Sequence, residues 1–299
     1  MDFQRDILEM IQIVKGSIVT TTADIIVNST DTSFSAAGGI DYAIHKAAGD
    51  ELAKALRNTG KLEAGQAIIT PAFALNTAKQ IIHTVGPKWQ NGFCAEEFTL
   101  AGCYRNSLKL ALENNCTSIA FPCISVGANR FPEQRAAEIA LNAIYTMLRA
   151  TADFSLNRIL FVCNSEQQKL IYKKHLKRMI IDEFLYWYSP ESYHVFPSTE
   201  KYYKFMCLLA ELEWGSASQY KNYCSNFTQV SGNPFPGKYT KYDQYAFNMD
   251  TWDYSTCLSY IIYLQRSAYW SGGSEAPHYD QWVNGTVRKT LLRMRTRLI

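Results

Sequence analysis

The sequence contains no CxxC pair and no group of cysteine and histidine residues at the spacing of zinc ligands, although it has eight cysteines. Several of these cysteines lie inside apolar runs such as AFPCIS and LFVCNS, where a reduced cysteine behaves as a small hydrophobic residue. We therefore expect no metal site. The pattern is typical of a protein kept in a reducing, cytosolic compartment.

Long apolar runs are also lacking, since none approaches the about 20 residues that cross a bilayer. The first ten residues, MDFQRDILEM, mix charges without an apolar centre, which is unlike a signal peptide. The net charge of +3 is too small to indicate a nucleic-acid partner on electrostatic grounds. We expect a cytoplasmic globular protein that uses neither a membrane nor nucleic acid.

What the first 180 or so residues do contain is an alternation of strand and helix signals. Short apolar runs rich in β-branched residues predict strands at 10–16, 24–29, 65–72, 79–86, 118–125 and 157–164. Between them, helices are predicted at 39–58, 96–114, 132–150 and 165–180. Because most of the strands are apolar at successive positions, both faces of the sheet should be covered. The pattern predicts a three-layer α/β/α domain with a mixed, mostly parallel central sheet.

The composition changes near residue 184, where aromatic residues become frequent and the alternation stops. A chain of 299 residues is long for one core, so we predict two domains, 1–183 and 184–299, the second mainly helical and of unknown function. Helix faces are predicted within 202–209 and 220–227, a Gly/Pro loop at 231–243, and further helices over 254–270 and 286–297. The basic side chains of the last helix are interpreted as a solvated surface.

Two joints between a strand and a helix carry the candidate chemistry. The first runs from Asn28 through small residues to Gly38 and Gly39, and the second is FPCISVGANRFPEQ, residues 121–134. Glycines at a helix start let backbone amides approach an anion, which the helix dipole also favours. Two such loops at one edge of a sheet could hold a diphosphate from both sides. From the residues alone, Asp41 is either a helix-start acid or a ligand-site acid.

The segments IVKGSI, ADIIVNSTD, GGIDYAIHKAAG, IIHTVGPKW, CYRNSLKLALE and SIAFPCISVGANRFP resemble, in this order, the macrodomain, an ADP-ribose-binding module. The resemblance covers about residues 9–180. It is strongest to the branch that removes mono-ADP-ribose from acidic side chains. It implies the macrodomain fold, ADP-ribose or a related nucleotide as ligand, no cofactor, and an ADP-ribosylated protein or a small ADP-ribose derivative as substrate.

The resemblance also implies the site residues. Asp41 and Asp31 would be catalytic, near the distal ribose, and two carboxylates close together should raise the pKa of one of them. The implied ligand-binding residues are Ser17, Ile18, Asn28, Gly38, Gly39, Ile40, His45, Ser125, Val126, Gly127, Ala128, Asn129, Arg130 and Phe131. The family usually has aspartate in place of Ser17 and asparagine in place of Asp31. The family also usually has an aromatic residue and a glycine in place of Asn129 and Arg130, over the distal ribose. Because the adenine-binding acid and this lid are both altered, a non-catalytic ADP-ribose reader that signals to the C-terminal domain, or a plain scaffold, stays an alternative to the hydrolase.

Overall fold

The computed structural model describes residues 7–187, 208–213, 253–255, 257–258, 260–261 and 286–298. The chain divides into two compact units, Met1–His175 and Leu176–Ile299. This division falls inside a helix, because Glu166–Trp187 is continuous. A functional domain boundary after residue 183 stays a prediction.

One six-stranded sheet forms the centre of the first unit. The strands are β1 (Ile11–Lys15), β2 (Ile25–Thr30), β3 (Ala67–Pro71), β4 (Gln80–Val85), β5 (Ser118–Pro122) and β6 (Arg158–Cys163). They lie in the order β1-β6-β5-β2-β4-β3. Every neighbouring pair is parallel except β3 with β4, which is antiparallel. The prediction of a mixed, mostly parallel sheet is confirmed.

Helices flank this sheet. They are α1 (Ile7–Met10), α2 (Gly39–Ala48), α3 (Asp50–Arg57), α4 (Glu96–Glu113), α5 (Glu133–Arg149) and α6 (Glu166–Trp187). The stretch 39–58, predicted as one helix, is two helices, because Gly49 adopts φ 80° and its N–H bonds to the His45 carbonyl at 3.0 Å. Helix α1 and a 3-10 turn at Ile18–Thr20 were not predicted, since both are too short to show a periodicity.

The burial of the strands follows their place in the sheet. All of β5 is buried, and β4 and β6 are buried at every position after the first. The edge strand β3 is mostly half-buried, and the other edge strand, β1, alternates between buried and more exposed positions. Continuous burial is therefore confirmed for the inner strands and not for β1 or β3. This order brings the carboxyl ends of β2, β5 and β6 side by side, where a ligand can meet three strand ends at once.

In the second unit, the described residues lie mainly in helices, including a C-terminal helix Thr286–Thr296 that confirms the prediction over 286–297. Within this unit, Glu213 pairs with Lys177 and accepts a hydrogen bond from Ser255 Oγ at 2.7 Å. The predictions for 202–207, 220–227, 231–243 and 262–270 lie outside the described residues. Among the helices that the structure describes, none has both the length and the apolar character needed to cross a bilayer.

Candidate functional site

A cavity of about 390 Å³ opens at the carboxyl ends of β2, β5 and β6. Two loops line it: residues 37–40, which lead into α2, and residues 125–129, which precede α5. The rest of the lining comes from the strand ends and the residues just after them, from α2 and from α6: Ser29, Thr30, Asp31, Asp41, Cys123, Val162, Asn164 and Gln168. The two strand–helix joints singled out in the sequence therefore face one cavity.

The first loop presents the start of a helix to this cavity. Helix α2 begins at Gly39, whose φ of 57° is in the left-handed region that glycine adopts without strain. A β-carbon on Gly39 would meet nothing within 4 Å, so the backbone conformation, and not lack of space, favours glycine there. The amides of a first helical turn have no acceptor within the helix, and the helix dipole favours an anion in front of them.

The second loop is closed and anchored by backbone hydrogen bonds. The N–H of Phe131 donates to the Ser125 carbonyl at 3.0 Å, and the N–H of Trp89 donates to the Asn129 carbonyl at 2.9 Å. The Asn129 side chain donates in turn to the Gly86 carbonyl at 2.9 Å. Phe131 is buried and its ring lies 4.7 Å from that of Trp89. The loop is thus fixed before any ligand arrives.

Asp41 lines the cavity, and its carboxylate is hydrogen-bonded to two buried side chains of β2. Its carboxylate accepts a hydrogen bond from Asn28 Nδ2 at 2.7 Å on Oδ1 and from Thr30 Oγ at 2.9 Å on Oδ2. His45 Nε2 lies 3.5 Å from Oδ1, so His45, one turn along α2, is on the same side as Asp41. Asp41 is only 5% exposed, and its hydrogen bonds to Asn28 and Thr30 hold the carboxylate in one orientation.

Asp31 also lines the cavity, but its carboxylate is bound to its own loop. Oδ1 accepts hydrogen bonds from the Ser33 N–H and hydroxyl, both at 2.8 Å, and Oδ2 accepts one from the Ser35 hydroxyl. Burial of Asp31 opposes ionisation, but the hydrogen bonds from Ser35 and Ser33 outweigh it and lower the pKa below its usual value. The raised pKa expected for one of the two acids is therefore not found at Asp31.

Several predicted binding residues are not part of the described lining: Ser17, Ile18, Asn28, His45, Arg130 and Phe131. Ser17 is exposed at the start of the 3-10 turn, Ile18 is buried in the core, and Arg130 is exposed. Asn28 and His45 do not line the cavity themselves, but both lie next to the Asp41 carboxylate, which does. The binding roles of these residues stay predictions.

Other residues line the cavity without having been predicted: Ser29, Thr30, Ala37, Cys123, Val162, Asn164 and Gln168. A rule based on strand ends would have found Asn164, which ends a predicted strand. Cys123 lies inside the predicted strand 118–125 and follows a strand end only because β5 stops at Pro122. Gln168 gives no such signal. It lies in the first turn of α6, and its side chain accepts a hydrogen bond from the Asn164 N–H at 3.3 Å. In the residues that the structure describes, no three histidine, cysteine or acidic side chains converge on a metal-sized site.

Comparison with known proteins gives a consistent result. The Macro domain family model matches residues 27–140. A Macro domain-containing protein of Chlorobaculum tepidum is 42% identical over 167 residues, which are 56% of this chain and 95% of that protein. An O-acetyl-ADP-ribose deacetylase of Klebsiella pneumoniae is 44% identical over 169 residues, covering 55% of this chain and 95% of that enzyme.

Solved structures agree with these matches. The Oceanobacillus iheyensis macrodomain with ADP is 40% identical with a TM-score of 0.54, covering 57% of this chain and 92% of that one. The Trypanosoma brucei macrodomain in complex with ADP-ribose is 32% identical with a TM-score of 0.52, covering 56% of this chain and 68% of that one. Each similarity extends over little more than half of the present chain.

Proposed function

Because this chain belongs to the macrodomain family, we propose that its cavity binds ADP-ribose and that the protein hydrolyses an ester between the distal ribose and an acyl group. One observation carries the proposal: two loops that offer backbone amides line a single cavity, and Asp41 lines that cavity too. The volume of about 390 Å³ lies within the range of small-molecule sites, roughly 300–1,000 Å³.

The diphosphate is the part of the ligand that the loops fit best. It carries negative charge and many acceptor oxygens, which suit the first-turn amides of α2 at Gly39 and Ile40. Val126, Gly127 and Ala128 supply backbone from the other side. Gly127 adds no side chain, and a β-carbon there would meet nothing within 4 Å, so phosphate oxygens have room to approach. Neutral amides in fixed positions bind the diphosphate without a bound cation.

Asp41 is the residue proposed to act on the reacting end. In ester hydrolysis, a water oxygen adds to the acyl carbon, the ribose oxygen leaves with a proton, and the products are a carboxylic acid and ADP-ribose. A fixed carboxylate orients the water or a ribose hydroxyl by accepting a hydrogen bond from it. Asp31, whose lowered pKa keeps it ionised, is a second acceptor and is unsuited to donate a proton.

The relatives define the substrate class to be tested first. Proteins named O-acetyl-ADP-ribose deacetylase are 44% identical to this chain, and that substrate contains an acetyl ester on ribose. A mono-ADP-ribosylated aspartate or glutamate contains the same type of bond. The proposed chemistry is therefore one acyl–ribose hydrolysis with either a small molecule or a protein as the acyl carrier.

A reader without turnover is the second candidate, and a specific observation favours it. Both oxygens of Asp41 already accept hydrogen bonds, from Asn28 and from Thr30. A carboxylate with partners on both oxygens is better suited to holding a ribose hydroxyl than to taking a proton. Such a module would report ADP-ribose to the residues after 183.

The decisive experiment measures binding and release in the full-length protein. Calorimetry with ADP-ribose is combined with release assays on O-acetyl-ADP-ribose and on a protein carrying mono-ADP-ribose on acidic side chains. Binding with release supports the hydrolase, and binding without release supports the reader. Absence of both would overturn the proposal.

A matched pair of variants controls the assay. Gly127→Glu puts a carboxylate where phosphate oxygens are proposed to lie and should abolish both signals. Gly127→Ala adds one methyl group into open space and should change affinity by no more than a few-fold. Retained affinity in a folded Gly127→Glu variant would count against the cavity as the diphosphate site.

A further inference from the structure

A chain of buried hydrogen bonds leads from the cavity across the sheet. Asn28 Nδ2 lies 2.7 Å from Asp41 Oδ1 and 3.2 Å from His83 Nδ1, and His83 Nε2 lies 3.0 Å from Thr70 Oγ. Asn28 and His83 are register partners in the parallel pair β2–β4, and both are fully buried. The chain thus joins Asp41 on α2 to β2, β4 and β3.

With an ionised Asp41, the donors and acceptors along these hydrogen bonds can be assigned in only one way. The carboxylate of Asp41 can only accept, so Asn28 turns its NH₂ group toward it. The second hydrogen of that NH₂ group points to His83, whose Nδ1 must therefore accept and carry no proton. The proton of a neutral imidazole is then on Nε2, from which it is donated to the Thr70 hydroxyl.

The surroundings of His83 keep it neutral. Burial lowers the pKa of His83 to about 3, and the nearby His45 acts in the same direction. The ring of Phe34 covers it edge-on, with centroids 6.1 Å apart. A protonated His83 would direct a second donor at the NH₂ group of Asn28, so a neutral ring is also what the hydrogen bonds require.

We propose that His83 is a positioning residue for the site: through its Nδ1 acceptor it fixes the side-chain amide of Asn28, which in turn holds the Asp41 carboxylate in its orientation. The catalytic part of this inference rests on the proposed function. The structural part does not, because it concerns only the direction of the hydrogen bonds.

One consequence concerns the kind of group that this end of the site accepts. With both hydrogens of Asn28 committed, its Oδ1 is the remaining polar atom, and among the described residues it has no partner. Because Asn28 is fully buried and lies outside the cavity lining, a ligand meets only the Asp41 carboxylate of this pair, and a carboxylate can only accept. A ribose hydroxyl, which can donate, fits such a site, whereas a further phosphate does not.

The test replaces His83 by residues whose side-chain amide lies at the position of one imidazole nitrogen, either Nδ1 or Nε2. In His83→Asn, the amide oxygen takes the place of Nδ1 and can still accept from Asn28. In His83→Gln, the amide lies near the place of Nε2 and reaches Thr70 instead. We expect His83→Asn to keep kcat for acyl release within about threefold, and His83→Gln to lower it at least tenfold. Equal losses in both folded variants would overturn the positioning role.

A second measurement does not depend on turnover or on variants that fold. Nitrogen NMR of the wild-type His83 ring should show a neutral imidazole protonated at Nε2 between pH 5 and 9. A proton on Nδ1, or an imidazolium at pH 7, would overturn the inference. If the wild type releases no acyl group, the proposed hydrolase fails. The positioning role of His83 is then still tested by its tautomer and by the weaker ADP-ribose affinity expected for His83→Gln.

Discussion

The hydroxyl of Ser125 occupies the space in which a β-carbon on Gly86 would lie, so the segment after β4 and the second loop of the cavity touch without a gap. Ile124 Cγ2 lies 2.8 Å from the same position. Ser125 itself has a φ of 67°, which is strained for a residue other than glycine. The shape of the loop over residues 125–129 therefore depends on residue 86 having no side chain.

The change Gly86→Ala should displace Ser125 and with it the amides of the second loop. We expect about a tenfold or greater loss of ADP-ribose affinity, measured by calorimetry, with a destabilisation of about 1–3 kcal/mol from overpacking. Adding Ser125→Gly removes the hydroxyl and suits the left-handed backbone, so the double variant should recover part of the affinity. A Gly86→Ala variant with wild-type affinity would mean that the loop position does not control binding.

Removing the carboxylate of Asp41 should affect turnover more than binding. We expect Asp41→Ala to lower single-turnover acyl release by on the order of a hundredfold, the usual scale for acid–base assistance. ADP-ribose affinity should change far less, because backbone amides are proposed to hold the diphosphate.

The control for Asp41 is Thr30→Val, which removes one of its two close hydrogen bonds while keeping the carboxylate. Its effect on release should be several-fold smaller than that of Asp41→Ala. Unchanged release in Asp41→Ala would leave the reader as the better description of this protein.

The change Asp31→Asn tests whether this acid acts on the ligand or on its own loop. An amide nitrogen cannot accept the hydrogen bond that the Ser35 hydroxyl donates to Oδ2. We expect a correctly folded variant with faster amide exchange over residues 31–38 and a modest loss of ADP-ribose affinity. Ser35→Ala removes the same bond from the other side and should reproduce both effects. If Ser35→Ala is neutral while Asp31→Asn abolishes release, the carboxylate acts on the substrate directly.

Glu96 makes the stability of this unit depend on pH in a predictable direction. Burial opposes its ionisation, but backbone N–H groups, among them those of Asn91, Gly92 and Cys94, point at the carboxylate and lower its pKa from 4.5 to about 2. A depressed carboxyl pKa contributes stability above the unfolded value, and that contribution is lost as pH falls toward the folded value. Glu96→Gln should therefore be less stable than wild type at pH 7, with the difference shrinking between pH 4.5 and 2.

The comparison for Glu96 is Glu97, which pairs with Arg135 at 2.6 Å on the surface. Exposed ion pairs contribute about 0–1 kcal/mol, so Glu97→Gln should shift the unfolding midpoint much less than Glu96→Gln at pH 7. Chemical denaturation across this pH range measures both. Equal shifts for the two variants would show that the loop around Glu96 adds little to the fold.

The positions of the strands along the chain and of the two loops could be predicted from the sequence because they depend on local patterns, whereas the order of the strands within the sheet was not predicted. Apolar β-branched runs mark buried strands wherever they occur, and glycines at a helix start mark an amide-lined loop, as at Gly39. The break between α2 and α3 at Gly49 was missed because the amphipathic pattern continues through it, and the residue type alone does not show that Gly49 adopts a positive φ. Continuous burial failed for the two edge strands, β1 and β3, since an apolar run does not reveal that its strand lies at an edge.

The residue pairs within the site could not be predicted in this way. The sequence placed Asp31 and Asp41 at one joint, as acids that should perturb each other. The tertiary structure instead gives Asp31 the hydroxyls of its own loop and gives Asp41 the side chains of Asn28 and Thr30.

The sequence by itself determined the elements, the loops and the family, because backbone conformation and burial follow from side-chain type at a given spacing. Only the tertiary structure decided which acceptor faces which donor. Asn28 and His83 are 55 positions apart in the chain and meet because β2 and β4 pair in one particular register. A shift of one residue would turn either side chain to the opposite face of the sheet, so the hydrogen bonds that orient Asp41 exist only once the whole sheet has formed.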